Sequence, residues 1–144
     1  ADERDLLGAI GYSVNETVLH RGADRVLPRS SRAHGAWNYR LSACDADPAG
    51  VRVSYDMNRL QRLDTTDRFV VSLNSADLLD DGDVIARMVY AHPQYTPSSR
   101  AAQLRLRELD DQRIAFAGAY HGWGFHEDGA RAGRDAAASL VGGW

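Results

Sequence analysis

The chain has 144 residues, a formal net charge of −3, 44% hydrophobic and 26% charged residues, a balance that excludes a disordered or fibrous protein and suits a folded domain with a core of its own. No apolar run is long enough to cross a bilayer, so a transmembrane protein is not expected. Every basic residue is arginine and these are scattered along the chain, with no basic run that would neutralise a row of phosphates, which argues against a nucleic-acid partner.

In chain order, Asp2 to Ile10 places Leu6, Leu7 and Ile10 at helical spacing behind an acidic start, and predicts a short helix ended near Gly8 or Gly11. Ser13 to Leu19 alternates as a strand, and Ala36 to Leu41 repeats that character after a turn region at Pro28 to Ser31. Asp45, Asp47, Pro48 and Gly50 are turn formers, and Val51 to Asp56 then alternates cleanly, so this stretch reads as a hairpin. Phe69 to Leu73 and Val84 to Tyr90 are further strands, separated by the acidic loop Asp77 to Asp83. The sum is a largely antiparallel sheet.

The period changes near Pro97. Ala101, Leu104 and Leu109 suggest an amphipathic helix over Ser98 to Leu109, capped by Ser98 or Ser99. Ile114 to Gly118 is apolar enough for a buried strand, and Gly118, Gly122, Gly124 and Gly129 follow it closely, before a helix from about Glu127 to Val141. Glycines let backbone approach a ligand, and a helix beginning near Asp128 would turn its free N–H groups and positive dipole end toward whatever lies in front. Small residues at Ala130, Ala132, Gly133, Ala136 and Ala137 suit either close approach to a bound ring system or ordinary tight helix packing.

Single residues exclude several chemistries. Cys44 is the one cysteine, so neither an internal disulfide nor a thiolate pair for zinc is available, and a reducing cytoplasmic setting is the default. His121 and His126 are spaced wrongly for one helical face, and no metal site is expected. No serine sits in G-x-S-x-G and Cys44 has no evident histidine partner, which removes hydrolases. The sequon at Asn15-Glu16-Thr17 comes without a signal peptide and reads as a chance match.

The segment Glu127-Asp128-Gly129-Ala130-Arg131-Ala132-Gly133-Arg134-Asp135-Ala136-Ala137 resembles the C-terminal flavin-binding motif of the flavin-containing amine oxidase superfamily, and Phe116-Ala117-Gly118 resembles that family's final strand. A series of short blocks extends the resemblance to one branch, the FAD-dependent amine oxidoreductase-like proteins related to the N-terminal domain of plant cyclopropane fatty acid synthases. These blocks include Tyr12-Ser13-Val14-Asn15, Leu27-Pro28-Arg29, Trp37-Asn38-Tyr39, Tyr55-Asp56-Met57-Asn58-Arg59-Leu60-Gln61, His92-Pro93 and Gly124-Phe125-His126-Glu127-Asp128-Gly129.

The resemblance implies an α+β chain in which residues 1–96 form part of a substrate-binding sheet domain and residues 97–144 the C-terminal helix, strand and helix of an FAD/NAD(P)-binding fold. FAD is the implied cofactor, touched by Gly118, Ala119, Gly124, Phe125, His126, Glu127, Asp128, Gly129 and Ala130, with the backbone at Gly129 and Ala130 beside the pyrimidine edge of the ring. Trp37, Tyr39, Tyr55 and Asn58 would face substrate or serve the core, and His126 would exchange protons with the cofactor or cap its loop. Glu127 and Asp128 would oppose charge on a reduced flavin unless they turn away to stabilise the first helical turn.

Two departures qualify the family pattern. Ala119 stands where many relatives carry an acidic residue, leaving contacts there to backbone or to Tyr120, and no G-x-G-x-x-G follows a strand in these residues. The expected partner is therefore a missing N-terminal flavin-binding portion of the same protein. The implied activity is oxidation of an amine-like or lipid-linked small molecule by hydride transfer to flavin, in a cytoplasmic protein that is at most peripheral to a membrane. Catalytic residues are not identified, and a non-catalytic flavin-fold binding or scaffold module is the alternative.

Overall fold

A computed structural model describes residues 3–30, 32–44 and 51–141. The turn formers Asp45, Asp47, Pro48 and Gly50 therefore lie outside the described residues, as do Ser31 and the C-terminal Gly-Gly-Trp. The elements are α1 (Glu3–Gly8), β1 (Tyr12–His20), β2 (Trp37–Arg40), β3 (Arg52–Asp56), α2 (Met57–Gln61), β4 (Val70–Leu73), β5 (Val84–Pro93), α3 (Pro97–Gln103) and α4 (His126–Val141). The chain divides into two compact units, residues 14–91 and residues 1–13 with 92–144. No helix among the described residues is long and apolar enough to cross a membrane.

The unit of residues 14–91 is built on a five-stranded sheet of order β2-β3-β4-β1-β5. Pairing is antiparallel between β2 and β3, β3 and β4, and β4 and β1, as the alternating strands predict. Register places Asn38, Ser54, Ser72 and Val18 in one row across four strands, and Trp37, Tyr55, Val71 and Leu19 in the adjacent row on the opposite face. The first row is buried, and Val26, Leu27 and Val70 form an apolar cluster with Ala23, Leu78 and Leu79.

That buried face is unusually polar, and its polar groups are paired in one direction. The Arg21 carbonyl can only accept, so His20 Nδ1 donates to it at 2.9 Å, leaving Nε2 to accept from the Ser72 hydroxyl at 2.9 Å. Ser72 Oγ in turn accepts from the Ser54 hydroxyl at 2.8 Å, and Asn38 Nδ2 donates to the Ser54 carbonyl at 3.3 Å. Satisfied in this way, the row avoids the penalty of orphaned buried groups.

At the end of β3, the fully buried Asp56 caps α2 by accepting from Arg59 N at 3.3 Å. Its Oδ2 accepts from Arg68 at 2.7 Å and lies 3.0 Å from His34 Nε2. Backbone bonds gather the same corner: Asp56 N donates to the Ala36 carbonyl at 2.9 Å and Met57 N to the Phe69 carbonyl at 3.0 Å.

In the other unit, Leu6 and Ile10 pack with Ala102 and Leu106. Three expectations for α3 need correction. Its cap is Thr96, whose Oγ1 accepts from Ser99 N at 3.1 Å while Ser99 Oγ accepts from Thr96 N at 2.8 Å, so Ser99 is the far side of a capping box and Pro97 opens the helix. The inward face is Ser99, Ala102 and Leu106, while Ala101 is exposed, Leu104 is 69% exposed and Leu109 is only half-buried. The helix also stops at Gln103, with a separate 3₁₀ turn at Leu106–Leu109.

The strand expected at Ile114 to Gly118 does not form. Asp111 Oδ1 accepts from Arg113 N and Ile114 N, both at 2.7 Å, Asp110 Oδ1 accepts from Phe116 N at 2.9 Å, and Ile114 is 56% exposed. A strand is defined by its neighbours, and here aspartates take the amides a ladder would use.

Replacing Asp56 by Ala is expected to cost about 2–3 kcal/mol in urea unfolding, below the about 3–5 kcal/mol of a fully buried pair because the freed Arg68 is partly solvated. A second prediction concerns pH. Burial lowers the His20 pKa from 6.5, so the unfolded chain takes up a proton before the folded one does. Stability is therefore full above about pH 6.5 and falls as pH drops through the unfolded-state value toward the folded one. His121, also lowered by burial, acts in the same sense. His20→Gln should flatten this slope in denaturation curves taken between about pH 7.5 and 5.

Candidate functional site

The glycine-rich turn is closed on itself. After the extended Gly118, a 3₁₀ turn at Ala119–His121 directs the Ala119 carbonyl to accept from Gly122 N at 3.0 Å and Gly124 N at 3.1 Å. Gln103 of α3 clamps the turn from outside, its Nε2 donating to the carbonyls of Tyr120 at 2.7 Å and Gly122 at 2.5 Å. Gly124 has φ +88°, and a Cβ there would sit 2.8 Å from the Tyr95 hydroxyl, so this position needs glycine on two grounds.

The turn delivers the chain to α4, which begins at His126 and buries Ala132 and Ala136. The Asp128 side chain reaches back to accept from Trp123 N at 2.9 Å and Phe125 N at 3.1 Å. This satisfies two amides before the helix and draws the carboxylate into the turn, the stabilising role considered for it from sequence. The N–H groups of Asp128 and Gly129 both go to the Phe125 carbonyl, whereas those of His126 and Glu127 have no acceptor among the described residues. Glu127, His126 and Ala130 are exposed, as are Trp123 at 63% and Phe125 at 61%.

Ala119 and Gly129 lie against each other: a Cβ on Gly129 would meet Ala119 N at 3.7 Å, an ordinary contact. Tyr120, the alternative source of contacts beside Ala119, donates its hydroxyl to the Ala117 carbonyl at 3.2 Å and packs on the α1–α3 cluster. His121 stacks beside Tyr120 with ring centroids 5.0 Å apart, its Nε2 buried without a hydrogen-bond partner.

In the other unit, Trp37 and Tyr55 stack on the open sheet face, with centroids 6.1 Å apart and ring planes 13° from parallel. Tyr39 shares that face at 62% exposure, and burial pushes the Tyr55 phenol up. Asn58 is not on a strand but on α2. Its Oδ1 accepts from Phe69 N and its Nδ2 donates to the Asp67 carbonyl, both at 2.7 Å, so its amide is spent holding the connector before β4. Beyond the aromatic pair, Leu19, Val71, Met57, Phe69, Met88 and Tyr90 line an apolar hollow of about 370 Å³. This hollow was missed from sequence, although the odd-numbered alternation of Leu19 and Val71 carried the signal.

The geometry thus offers a glycine turn feeding a helix start, and an aromatic and apolar sheet face. Residues 75–141 match the model of the flavin containing amine oxidoreductase family. The resemblance read from Glu127 to Ala137 holds at that level, and the matched segment runs through β5, α3, the glycine turn and α4. No curated protein matches the chain closely enough to add to this. The flavin amine oxidoreductase match supports an oxidoreductase in general terms.

Asp128→Ala should leave α4 formed but expose the amides that Asp128 now holds. Hydrogen exchange at Trp123 and Phe125 is expected to accelerate by about fivefold, corresponding to a lost contribution of about 1 kcal/mol, with exchange near Ala136 unchanged.

Proposed function

We propose that the chain is the C-terminal part of an FAD-dependent oxidoreductase of the amine oxidase type, acting on an amine-like or lipid-linked small molecule. The observation that carries this reading is the family match over residues 75–141, which includes the whole glycine turn and α4. Residues 97–144 would close one side of the flavin site, residues 1–96 would supply part of the substrate-binding sheet, and an N-terminal portion of the same protein would complete the cofactor site. The setting is a cytoplasmic protein, at most peripheral to a membrane.

The turn fits a flavin edge by its chemistry. The N–H groups of His126 and Glu127, without an acceptor among the described residues, lie at the positive end of α4, where Gly129 packs against Ala119. FAD, when bound, supplies the two-electron acceptor. The protein's part is to orient the ring, to stabilise negative charge on its edge with those amides, and to keep the Asp128 charge engaged in the turn. Exposed Gly124, Phe125, His126, Glu127 and Ala130, with half-buried Gly118, would frame the ring. Trp37, Tyr39 and Tyr55 would face substrate, and Asn58 would support them through the connector.

A non-catalytic flavin-fold module is the second reading. It is favoured by the absence of G-x-G-x-x-G from these 144 residues and by the engagement of the Trp123 and Phe125 amides with Asp128.

Gly129 separates the two. Ala at this position makes only ordinary contact with Ala119, so Gly129→Ala should fold normally, while the longer side chain of Gly129→Leu would press on the Ala119 turn that frames the proposed flavin site. In the full-length protein, FAD titrated by visible absorbance and fluorescence quenching should bind the wild type, bind Gly129→Ala somewhat less well, and bind Gly129→Leu at least about tenfold more weakly. A full-length protein that stays colourless and binds no added FAD would leave only the module reading.

A further inference from the structure

The block Leu27-Pro28-Arg29 has no part in the flavin reading, yet it lines an arginine-rich concavity of the sheet unit. Arg25, Arg29, Arg68 and His34 line a groove of about 790 Å³, with Asp24 its one acidic lining residue. A second hollow of about 590 Å³ shares Asp24, Arg25 and Arg29 and adds Tyr39, Arg40 and Asp77, the last engaged by Arg52 at 2.7 Å. Arg25 and Arg29 are four residues apart, whereas Arg40 and Arg68 come from other segments, which is why no basic run is visible in the sequence.

Several of these groups are fixed in place. The fully buried Asp56 holds Arg68 at 2.7 Å and lies 3.0 Å from His34 Nε2. Arg25 is anchored by Asp80 at 2.7 Å. Arg59 donates to the His34 carbonyl and so braces the loop that carries the imidazole. By contrast, Arg29 has no carboxylate partner among the described residues, and Arg40 donates only to the Arg25 carbonyl at 3.1 Å. Anchored guanidinium groups therefore share a groove lining with others that retain all or most of their donors. Several planar forks lining one groove suit a tetrahedral oxyanion better than a carboxylate, which one fork would satisfy.

We infer that this groove binds a phosphoryl group, with Arg29 as its principal donor and Arg68, Arg25 and His34 as the prearranged wall. The groove is lined by residues of the unit 14–91 alone, and its test does not depend on flavin. The phosphoryl group could belong to a soluble phosphate ester or to a lipid headgroup, and the same measurement separates them.

The experiment titrates the protein with glycerol phosphate by calorimetry and, in parallel, measures sedimentation with vesicles of phosphatidylcholine alone or with added phosphatidylglycerol. Arg29→Gln is the main variant, because Arg29 is exposed and anchors nothing; Arg68→Lys tests the wall, and Arg134→Gln on α4 is the control arginine. Saturable binding weakened about tenfold by Arg29→Gln, less by Arg68→Lys and not by Arg134→Gln is the expected result. Binding of glycerol phosphate assigns a soluble ester, and Arg29-dependent binding confined to the phosphatidylglycerol vesicles assigns a headgroup. Binding in neither arm, or binding that Arg29→Gln leaves unchanged, overturns the site.

Discussion

The corner around Asp56 is the constraint on which the sheet unit depends. A carboxylate with no solvent exposure is stable only if cations and donors surround it, and Asp56 accepts hydrogen bonds from Arg59 on α2 and Arg68 in the following connector, with His34 Nε2 of the preceding loop 3.0 Å away. Because those segments come from both sides of β3, satisfying one charge fixes where the loop before β2 and the connector before β4 must run. Asn58 then completes the connector through its amide. The block Tyr55 to Gln61 thus reads as one device: an aromatic for the open face, a buried anion, a helix cap and a connector clamp.

Much of the fold was legible because its strands follow period-two alternation. β1 to β5 fall where alternation and turn chemistry put them, and α4 follows its small-residue pattern. What was not legible depends on partners that no local pattern specifies. Ile114 to Gly118 has strand composition, but a strand exists only beside another, and Asp110 and Asp111 take up the amides instead. The α3 cap was misread by local rank: Ser98 and Ser99 are both good caps, yet Pro97 fixes the first helical residue and leaves Thr96 as the one with extended backbone to receive the bond.

The candidate flavin edge was legible in a different way. Glycine spacing alone left cofactor approach and tight packing equally open, and the family match is what favours the first. The structure adds a physical account of the awkward acid. Asp128 is turned back to two amides of its own loop, so its charge is engaged locally, while the next amides along remain unpaired. An acidic residue at the start of α4 is then no contradiction of the proposed flavin site: it builds the turn that would present the amides.

The sheet distributes its side chains in a way that narrows the function of its faces. The buried row spends positions on Asn38, Ser54, Ser72 and, two residues from Val18 on the same face, His20, all hydrogen-bonded, while Trp37, Tyr55, Val71 and Leu19 occupy the row that faces outward. A sheet shaped only for stability would reverse this, since aromatic burial contributes more than a network that merely breaks even. Trp37 and Tyr39 stay more than 60% exposed beside a hollow whose lining is almost wholly apolar. Contiguous apolar surface of this kind is retained where something binds to it. In the flavin oxidoreductase reading that something is the apolar part of a substrate, and the saturated polar row beneath holds the register on which the aromatic pair depends.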